Sequence, residues 1–279
     1  MNERNQLNGS KQKRYQILVV HGSMRKGTTY ALAREIINHL TEKPDIDITE
    51  ISVAELELPF CRSCHTCFTK GEEFCPHYEK LERVTSALRE CDGVIFSGTA
   101  YMWALNAAMK NFLDHFAYLF HRPALFGKKG MVIATSAGAG EKNVVKYLQT
   151  VLGQWGINGT VVVTSTAKER DLTSPEKQAA KLDAAAEQYY RLLKSGKPLP
   201  PSLKSIAIHN TFRAMSLGEF TASERDTLHW RQSGFADKAY PAPAGVLKYC
   251  FGAVVHGAVK QSTRVIGKVY KKRQADKSN

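Results

Sequence analysis

The stretch that decides the fold reads YQILVVHGSMRKGTT and occupies residues 15–29. Its first part, residues 15–20, is a short apolar run rich in β-branched side chains, which is typical of a strand buried on both faces. A loop of glycine, hydroxyl and basic residues follows and leads into a helical pattern with apolar residues at 32, 36, 37 and 40. This strand–loop–helix order predicts the first unit of a parallel α/β sheet.

The same rhythm continues outward from this unit. We predict further strands at 46–53, 92–97, 129–135 and 159–165, and helices at 78–89, 107–120, 143–155 and 175–193. Right-handed crossovers place the carboxyl end of every strand on one edge of the sheet. The expected fold class is therefore α/β, a doubly wound five-stranded parallel sheet with a ligand site where the strand order reverses.

Composition divides the chain into three parts. Residues 1–14 are predicted to be a disordered lead, residues 15–197 the α/β domain, and residues 198–279 a basic, mainly helical C-terminal extension that serves packing or oligomerisation. The net charge is +13, yet residues 15–200 carry 22 basic and 20 acidic side chains, whereas residues 201–279 carry 13 and 5. The balanced domain indicates no nucleic-acid partner. The lack of a secretory leader and of a long apolar run predicts a cytoplasmic protein.

The loop after the first predicted strand can hold a phosphate. Its Ser23, Thr28 and Thr29 hydroxyls can donate hydrogen bonds, Arg25 can neutralise charge, and the following helix adds the partial positive charge of its N-terminus. The pattern is neither a Walker A loop nor a G-x-G-x-x-G turn, so a monophosphate fits it best. A turn that merely caps the helix is the alternative. Loops 98–103 and 135–140 reach the same edge, which favours a ligand, and Tyr101 and Trp103 can stack on a flat ring.

Four of the six cysteines form the run Cys61, Cys64, Cys67 and Cys75, with the spacing C-x2-C-x2-C-x7-C and a proline after the last. Iron–sulfur clusters are commonly ligated by such runs. A zinc site and a pair of redox thiols remain alternatives. Cys91 and Cys250 are expected to be buried apolar residues.

These motifs, together with the segments TAYMW at 99–103 and MKNFLD at 109–114, resemble the NADPH-dependent FMN reductase family, and more narrowly its iron–sulfur flavoprotein branch. The resemblance covers about residues 15–195 and implies a flavodoxin-like fold. It implies an FMN phosphate in the loop that contains Ser23, Met24, Arg25, Gly27, Thr28 and Thr29. It further implies an isoalloxazine ring between Thr99, Ala100, Tyr101, Met102 and Trp103 on one side and Ser136, Ala137, Gly138 and Gly140 on the other. The four cysteines would hold a [4Fe–4S] cluster, although cluster-free relatives keep a similar run.

The function expected from this resemblance is that of an NAD(P)H-dependent, FMN-containing oxidoreductase. Hydride would pass from NADPH or NADH to FMN and on to an unknown small-molecule or protein acceptor, with the cluster as an optional outlet. Because the flavin carries this chemistry, no catalytic residue is assigned. A flavodoxin-like electron-transfer protein reduced by a protein donor is the alternative. The family resemblance also suggests a homodimer or homotetramer.

The basic tail predicts a helix with apolar residues at 251, 254, 255, 258 and 259. Such a helix could lie on an anionic membrane. Because Gly252, Gly257 and Gly267 weaken an isolated helix, we instead expect it to pack on the domain or on a second subunit.

Overall fold

The computed structural model describes residues 13–218 and 223–278, with side chains to residue 269. The strands are β1 (Tyr15–His21), β2 (Ile46–Ser52), β3 (Gly93–Tyr101), β4 (Ala104–Leu105), β5 (Lys129–Ser136) and β6 (Thr160–Thr166). The helices of the α/β domain are α1 (Thr28–Thr41), α2 (Thr66–Thr69), α3 (Tyr78–Glu90), α4 (Ala107–Asp114), α5 (Tyr118–His121), α6 (Glu141–Trp155), α7 (Ala167–Leu172) and α8 (Pro175–Lys194). Those of the extension are α9 (Leu203–Leu217), α10 (Glu224–Gln232) and α11 (Val246–Ser278), and a 3₁₀ turn covers Glu72–Phe74. Residues 1–12 of the predicted disordered lead lie outside the described residues.

The five long strands are parallel and lie in the order β2–β1–β3–β5–β6. The chain leaves β1 toward β2 on one side and then crosses to β3 on the other side. The connections after β1 and β3 therefore diverge, and a crevice opens between them at the carboxyl edge. The predicted doubly wound five-stranded parallel sheet is confirmed.

Two apolar cores lie on opposite faces of this sheet. Along β1, Leu18 and Val20 face a core with helices α3, α4 and α6, whereas Ile17 and Val19 face a second core with α1 and α8. The alternation follows from the two-residue side-chain period of a strand. Because both faces of the central strands are covered, these strands contain continuous apolar runs, whereas the edge strands β2 and β6 keep partly exposed residues.

The structure corrects two predicted elements near the carboxyl edge. The helix expected at 107–120 is divided into α4 and α5, because the N–H groups of His115, Phe116 and Ala117 turn to carbonyls three residues back. The third strand continues to Tyr101 instead of ending at residue 97, and its last residues pair antiparallel with the short β4. The segment predicted as loop 98–103 is therefore mostly the end of a strand.

The extension is helical, as predicted, and its helices α9, α10 and α11 pack around one buried aromatic cluster. The His209 ring lies 4.9 Å from the ring centroids of both Trp230 and Tyr240. Burial, and next the nearby Arg213, lowers the pKa of His209 to about 3, so this imidazole is neutral. Over the ranges 13–218 and 223–278, the structure contains no helix with the length and apolar character needed to cross a membrane.

Candidate functional site

A cleft of about 590 Å³ opens at the carboxyl edge of the sheet. The segments after β1, at the end of β3 and after β5 converge on it. Eleven of the residues singled out from the sequence line this cleft: Ser23, Met24, Arg25, Gly27, Thr28, Thr29, Thr99, Ala100, Tyr101, Ser136 and Ala137. Four others lie outside its lining: Met102, Trp103, Gly138 and Gly140.

One end of the cleft has the properties of an anion site. Helix α1 begins there after Gly27, and no described side chain caps its first N–H groups. The Ser23 hydroxyl is buried and has no hydrogen-bond partner among the described residues. Arg25 lies in the same loop and lines the cleft. An unsatisfied buried hydroxyl costs free energy unless a ligand meets it, so this end fits an anionic group such as a phosphate.

The loop that forms this end is held tightly against the neighbouring strand. The Gly22 N–H donates to the carbonyl of Ser97 at 2.9 Å, and a Cβ on Gly22 would lie only 2.5 Å from that oxygen. The Asn106 amide donates to the Gly22 carbonyl at 2.7 Å. Only a residue without a side chain allows this approach, which fixes the loop at the crevice between β1 and β3.

Three further residues line the cleft: Thr135, which lies in the predicted loop 135–140, and Asn106 and Arg170, which the sequence did not single out. Thr135 shares a 2.6 Å hydrogen bond with the Thr29 hydroxyl, so Thr29 is already partnered within the protein. Arg170 lies on α7, directly after β6, and donates to the Ser165 carbonyl at 3.2 Å. Its position after a parallel strand is the signal that could have revealed it, since every such strand ends at the ligand edge.

Met102 and Trp103 form the two-residue turn that joins β3 to β4. Both have positive φ angles, 49° and 63°, as in a type I′ hairpin turn. Their side chains are 84% and 68% exposed. Gly140 supports this turn from the start of α6, where its φ is 103° and a Cβ would lie 3.1 Å from the Trp103 Cα. The hairpin is therefore a rigid exposed rim beside the cleft, held by Gly140 and by the Asn143 amide, which donates to the Trp103 carbonyl at 3.0 Å.

The four clustered cysteines line a second cavity, of about 310 Å³. All four are free thiols. Burial, and next the neighbouring Cys75, raises the pKa of Cys67 to about 11, whereas hydrogen bonds from Thr66 lower the pKa of Cys64. No group of three or more described His, Cys, Asp or Glu side chains is arranged to hold a single metal ion. The sulfurs thus share a cavity without forming a compact site for one ion.

Three histidines line this cavity with the cysteines: His65, His77 and His115. The Nδ1 atom of His115 lies 2.9 Å from the Asn111 carbonyl and can only donate to it, so Nε2 carries the lone pair. That Nε2 atom and the Nε2 atom of His77 are buried without hydrogen-bond partners among the described residues. The cavity therefore offers nitrogen as well as sulfur atoms.

The cysteine run is held to the protein at its start and in its middle. Its start is held by Asn111 on α4, whose side chain accepts from the Cys61 N–H at 2.9 Å. Its middle is held by Arg122, which donates to the Cys67 carbonyl at 2.7 Å and to Asp226 of the extension at 2.6 Å. Ser223 also reaches this segment from the extension, donating to the Phe68 carbonyl at 2.5 Å. The extension is thus part of the structure that holds the cysteines.

Helix α4 connects the two cavities. Asn106, at its N-terminal boundary, lines the cleft, whereas Lys110 and Asp114 line the cysteine cavity. Since a helix rises about 1.5 Å per residue, one to two turns, or about 6–12 Å along the axis, separate these linings. The two cavities are neighbours on one helix.

Comparison with known proteins agrees with this geometry. A sequence model of the NADPH-dependent FMN reductase family matches residues 15–169. The chain is 27% identical over 135 residues to an iron–sulfur flavoprotein of Methanocaldococcus jannaschii, covering 47% of this chain and 68% of that protein. It is 21% identical over 226 residues to an iron–sulfur flavoprotein of Clostridioides difficile, covering 78% and 98%. A crystal structure of an oxidoreductase from Corynebacterium diphtheriae, 20% identical, matches the fold with a TM-score of 0.51 and covers 66% of this chain and 99% of its own.

Proposed function

The chain belongs to the NADPH-dependent FMN reductase family, and from this premise we propose that FMN binds in the cleft of about 590 Å³ and a [4Fe–4S] cluster in the cysteine cavity. The protein is a flavin-dependent NAD(P)H oxidoreductase. When bound, FMN supplies hydride-accepting chemistry and a cluster supplies one-electron chemistry. We also propose that the electron acceptor is a small molecule or a protein, and that the chain forms a homodimer or homotetramer. Both proposals go beyond the family assignment.

The phosphate of FMN is proposed to lie at the start of α1. There the Ser23 hydroxyl donates to a phosphate oxygen, the free N–H groups of the first helical turn add further donors, and Arg25 balances the charge. The resemblance also implied a hydrogen bond from Thr29, whose hydroxyl is paired with Thr135. Because a hydroxyl that accepts keeps its own proton, Thr29 can donate to the phosphate when Thr135 is the donor in this pair. We therefore propose Ser23 as the first hydroxyl contact and Thr29 as a second.

The ring is proposed to lie between the β3 end and the segment after β5. Tyr101 lines the cleft, and Met102 and Trp103 stand exposed on its rim, so a planar ring can cover them without disturbing the core. Gly138 has no atom within 4 Å of where its Cβ would be, and the segment with Ser136 and Ala137 thus leaves room at the edge of the cleft. No acidic or basic residue is assigned a proton-transfer role.

The cluster is proposed from one observation: four free cysteines with the spacing of an iron–sulfur run line a single cavity. The donor chemistry fits a thiolate-bound cluster. Zinc also accepts four thiolates, but usually through two C-x2-C pairs far apart in the sequence, whereas here three cysteines follow one another at C-x2-C-x2-C spacing.

The test is a visible absorption spectrum and an iron and sulfide determination on full-length protein purified without oxygen. We expect the two bands of oxidised flavin, their bleaching by NADPH or NADH, and four iron atoms per chain. Cys64→Ser should remove the iron and the associated broad absorbance while the flavin bands remain, because Cys64 lies outside the cleft lining.

Cys250→Ser is the matched control. The sequence predicted Cys250 to be buried, but it is an exposed free thiol on α11, so its loss should leave iron and flavin unchanged. Flavin bands without iron would refute the cluster and keep the flavin site. One zinc ion per chain in place of iron would show that the cysteines bind zinc and would refute the cluster. Failure to bind added FMN would refute the cleft assignment itself.

A further inference from the structure

Over residues 246–269, where its side chains are described, the contacts of helix α11 with the rest of the described chain lie on the face toward α9. Its Gly252 lies so close to α9 that a Cβ would be 2.7 Å from the Asn210 amide nitrogen. His256 lies on the same side and accepts from Arg213 at 3.1 Å. The sequence predicts packing on the α/β domain or on a second subunit, whereas the contact is with α9 of the same extension. This contact accounts for the first of the glycines in the helix.

The opposite face of α11 is apolar and exposed. It carries Leu247, Phe251, Val254, Val265 and Val269, of which Leu247 and Val254 are 87% and 70% exposed. Successive members are three, four or eleven residues apart, so they lie along one side of a helix with 3.6 residues per turn. Ala258, Gln261 and Ser262 lie on the same side between Val254 and Val265, so the apolar residues form two segments. We call these five apolar residues the outer strip.

Cationic side chains border the outer strip. Residues 246–279 contain eight basic residues and one acidic residue. Lys260, Arg264 and Lys268 are exposed and lie between the strip and the face that meets α9. Their flexible stems can lie along an apolar surface while their charged ends remain in water.

We infer that the outer strip binds the surface of an anionic membrane. Apolar side chains on one side and lysine and arginine beside them are the features of helices that lie in the lipid interface. A second copy of the chain is the other occupant to consider, but it would bring two strongly basic helices together, and their like charges would repel. An anionic lipid surface offers negative headgroups to the lysine and arginine side chains and an apolar acyl region to the outer strip.

The same features indicate that α11 lies along the membrane and does not cross it. Five of its seven exposed large apolar residues belong to the outer strip, Val246 and Ile266 lie outside it, and α9 packs on the opposite side. The interaction is independent of the cleft and of the cysteine cavity, since none of the strip residues lines either. It therefore does not depend on which cofactors the protein holds.

The test is co-sedimentation of the full-length protein with vesicles of pure phosphatidylcholine or of phosphatidylcholine with 30% phosphatidylglycerol. We expect binding to the anionic vesicles and little to the neutral ones. Each interfacial lysine contributes about fivefold in affinity, so Lys260→Glu with Lys268→Glu should weaken binding by at least about 25-fold. Leu247→Ser with Val254→Ser should abolish it without changing charge.

The matched control is Lys146→Glu with Lys177→Glu, two exposed lysines on α6 and α8 that make the same charge change elsewhere. This variant should bind almost as the parent does. Absence of binding to anionic vesicles, or equal weakening by the control pair, would overturn the inference. The inference would also be overturned if the Leu247 and Val254 variant bound vesicles as the parent does but lost self-association. A second copy of the chain would then be what covers the strip.

Discussion

The buried ion pair between Arg122 and Asp226 should hold the cysteine run to the extension, and its removal has a calculable cost. The two side chains are 5% and 7% exposed, and the Arg122 guanidinium also meets Glu72 at 3.1 Å. Removing one partner of such a pair costs about 3–5 kcal/mol, since a charge remains buried. Because Glu72 keeps part of the compensation, we expect Asp226→Asn to lower the free energy of unfolding by about 3 kcal/mol.

A second ion pair between the same two segments provides the control. Arg225 meets Glu73 at 3.1 Å, but these side chains are 38% and 40% exposed. Glu73→Gln should cost about 0–1 kcal/mol, because solvent screens an exposed pair. Urea denaturation measures both variants, and alkylation of Cys67 in metal-free protein should accelerate only in Asp226→Asn. Equal stability losses in the two variants would refute the assignment of Arg122 as the buried anchor.

Three further substitutions test the two cavities. Ser23→Ala should weaken FMN binding roughly 10- to 100-fold in a fluorescence titration, since a hydrogen bond to a charged phosphate is lost; an unchanged affinity would show that this hydroxyl does not meet the phosphate. Gly22→Ala should destabilise the protein by about 1–3 kcal/mol, as its Cβ would lie 2.5 Å from the Ser97 carbonyl, and an unchanged melting temperature would contradict this. Asn111→Ala should lower the free energy of unfolding by about 2–3 kcal/mol and lower the iron content, because the Cys61 N–H loses its acceptor. An unchanged iron content would show that this hydrogen bond is not needed to hold the cluster.

The parallel sheet could be predicted from the sequence because its information is local. The central strands are buried on both faces, so β1 and β5 contain the apolar runs 17–20 and 131–134. Topology then brings the strand ends together without any knowledge of side-chain contacts. For this reason Ser23, Thr99 and Ser136 could be placed at one cleft although 113 positions separate the first from the last.

The contacts that hold the cysteine run could not be predicted, because their information is not local. Arg122 and Asp226 are 104 residues apart, and neither lies in a motif. The exposed hairpin was missed for a different reason. Turns with positive φ usually carry Gly or Asn, whereas this one carries Met102 and Trp103, so its sequence does not show the turn chemistry that its backbone adopts.

The position of Arg122 also decides how the role of the extension can be tested. Asp226 and Ser223 reach the cysteine run from the same extension that carries α11, so deleting residues 201–279 would remove the outer strip and the cysteine anchor together. The deletion would leave Arg122 buried with Glu72 as its remaining carboxylate partner in the described part of the chain. Loss of membrane binding in that truncated protein could then reflect a disordered cysteine segment. Substitutions confined to the exposed side of α11 avoid this, because Leu247, Val254, Lys260 and Lys268 line neither cavity.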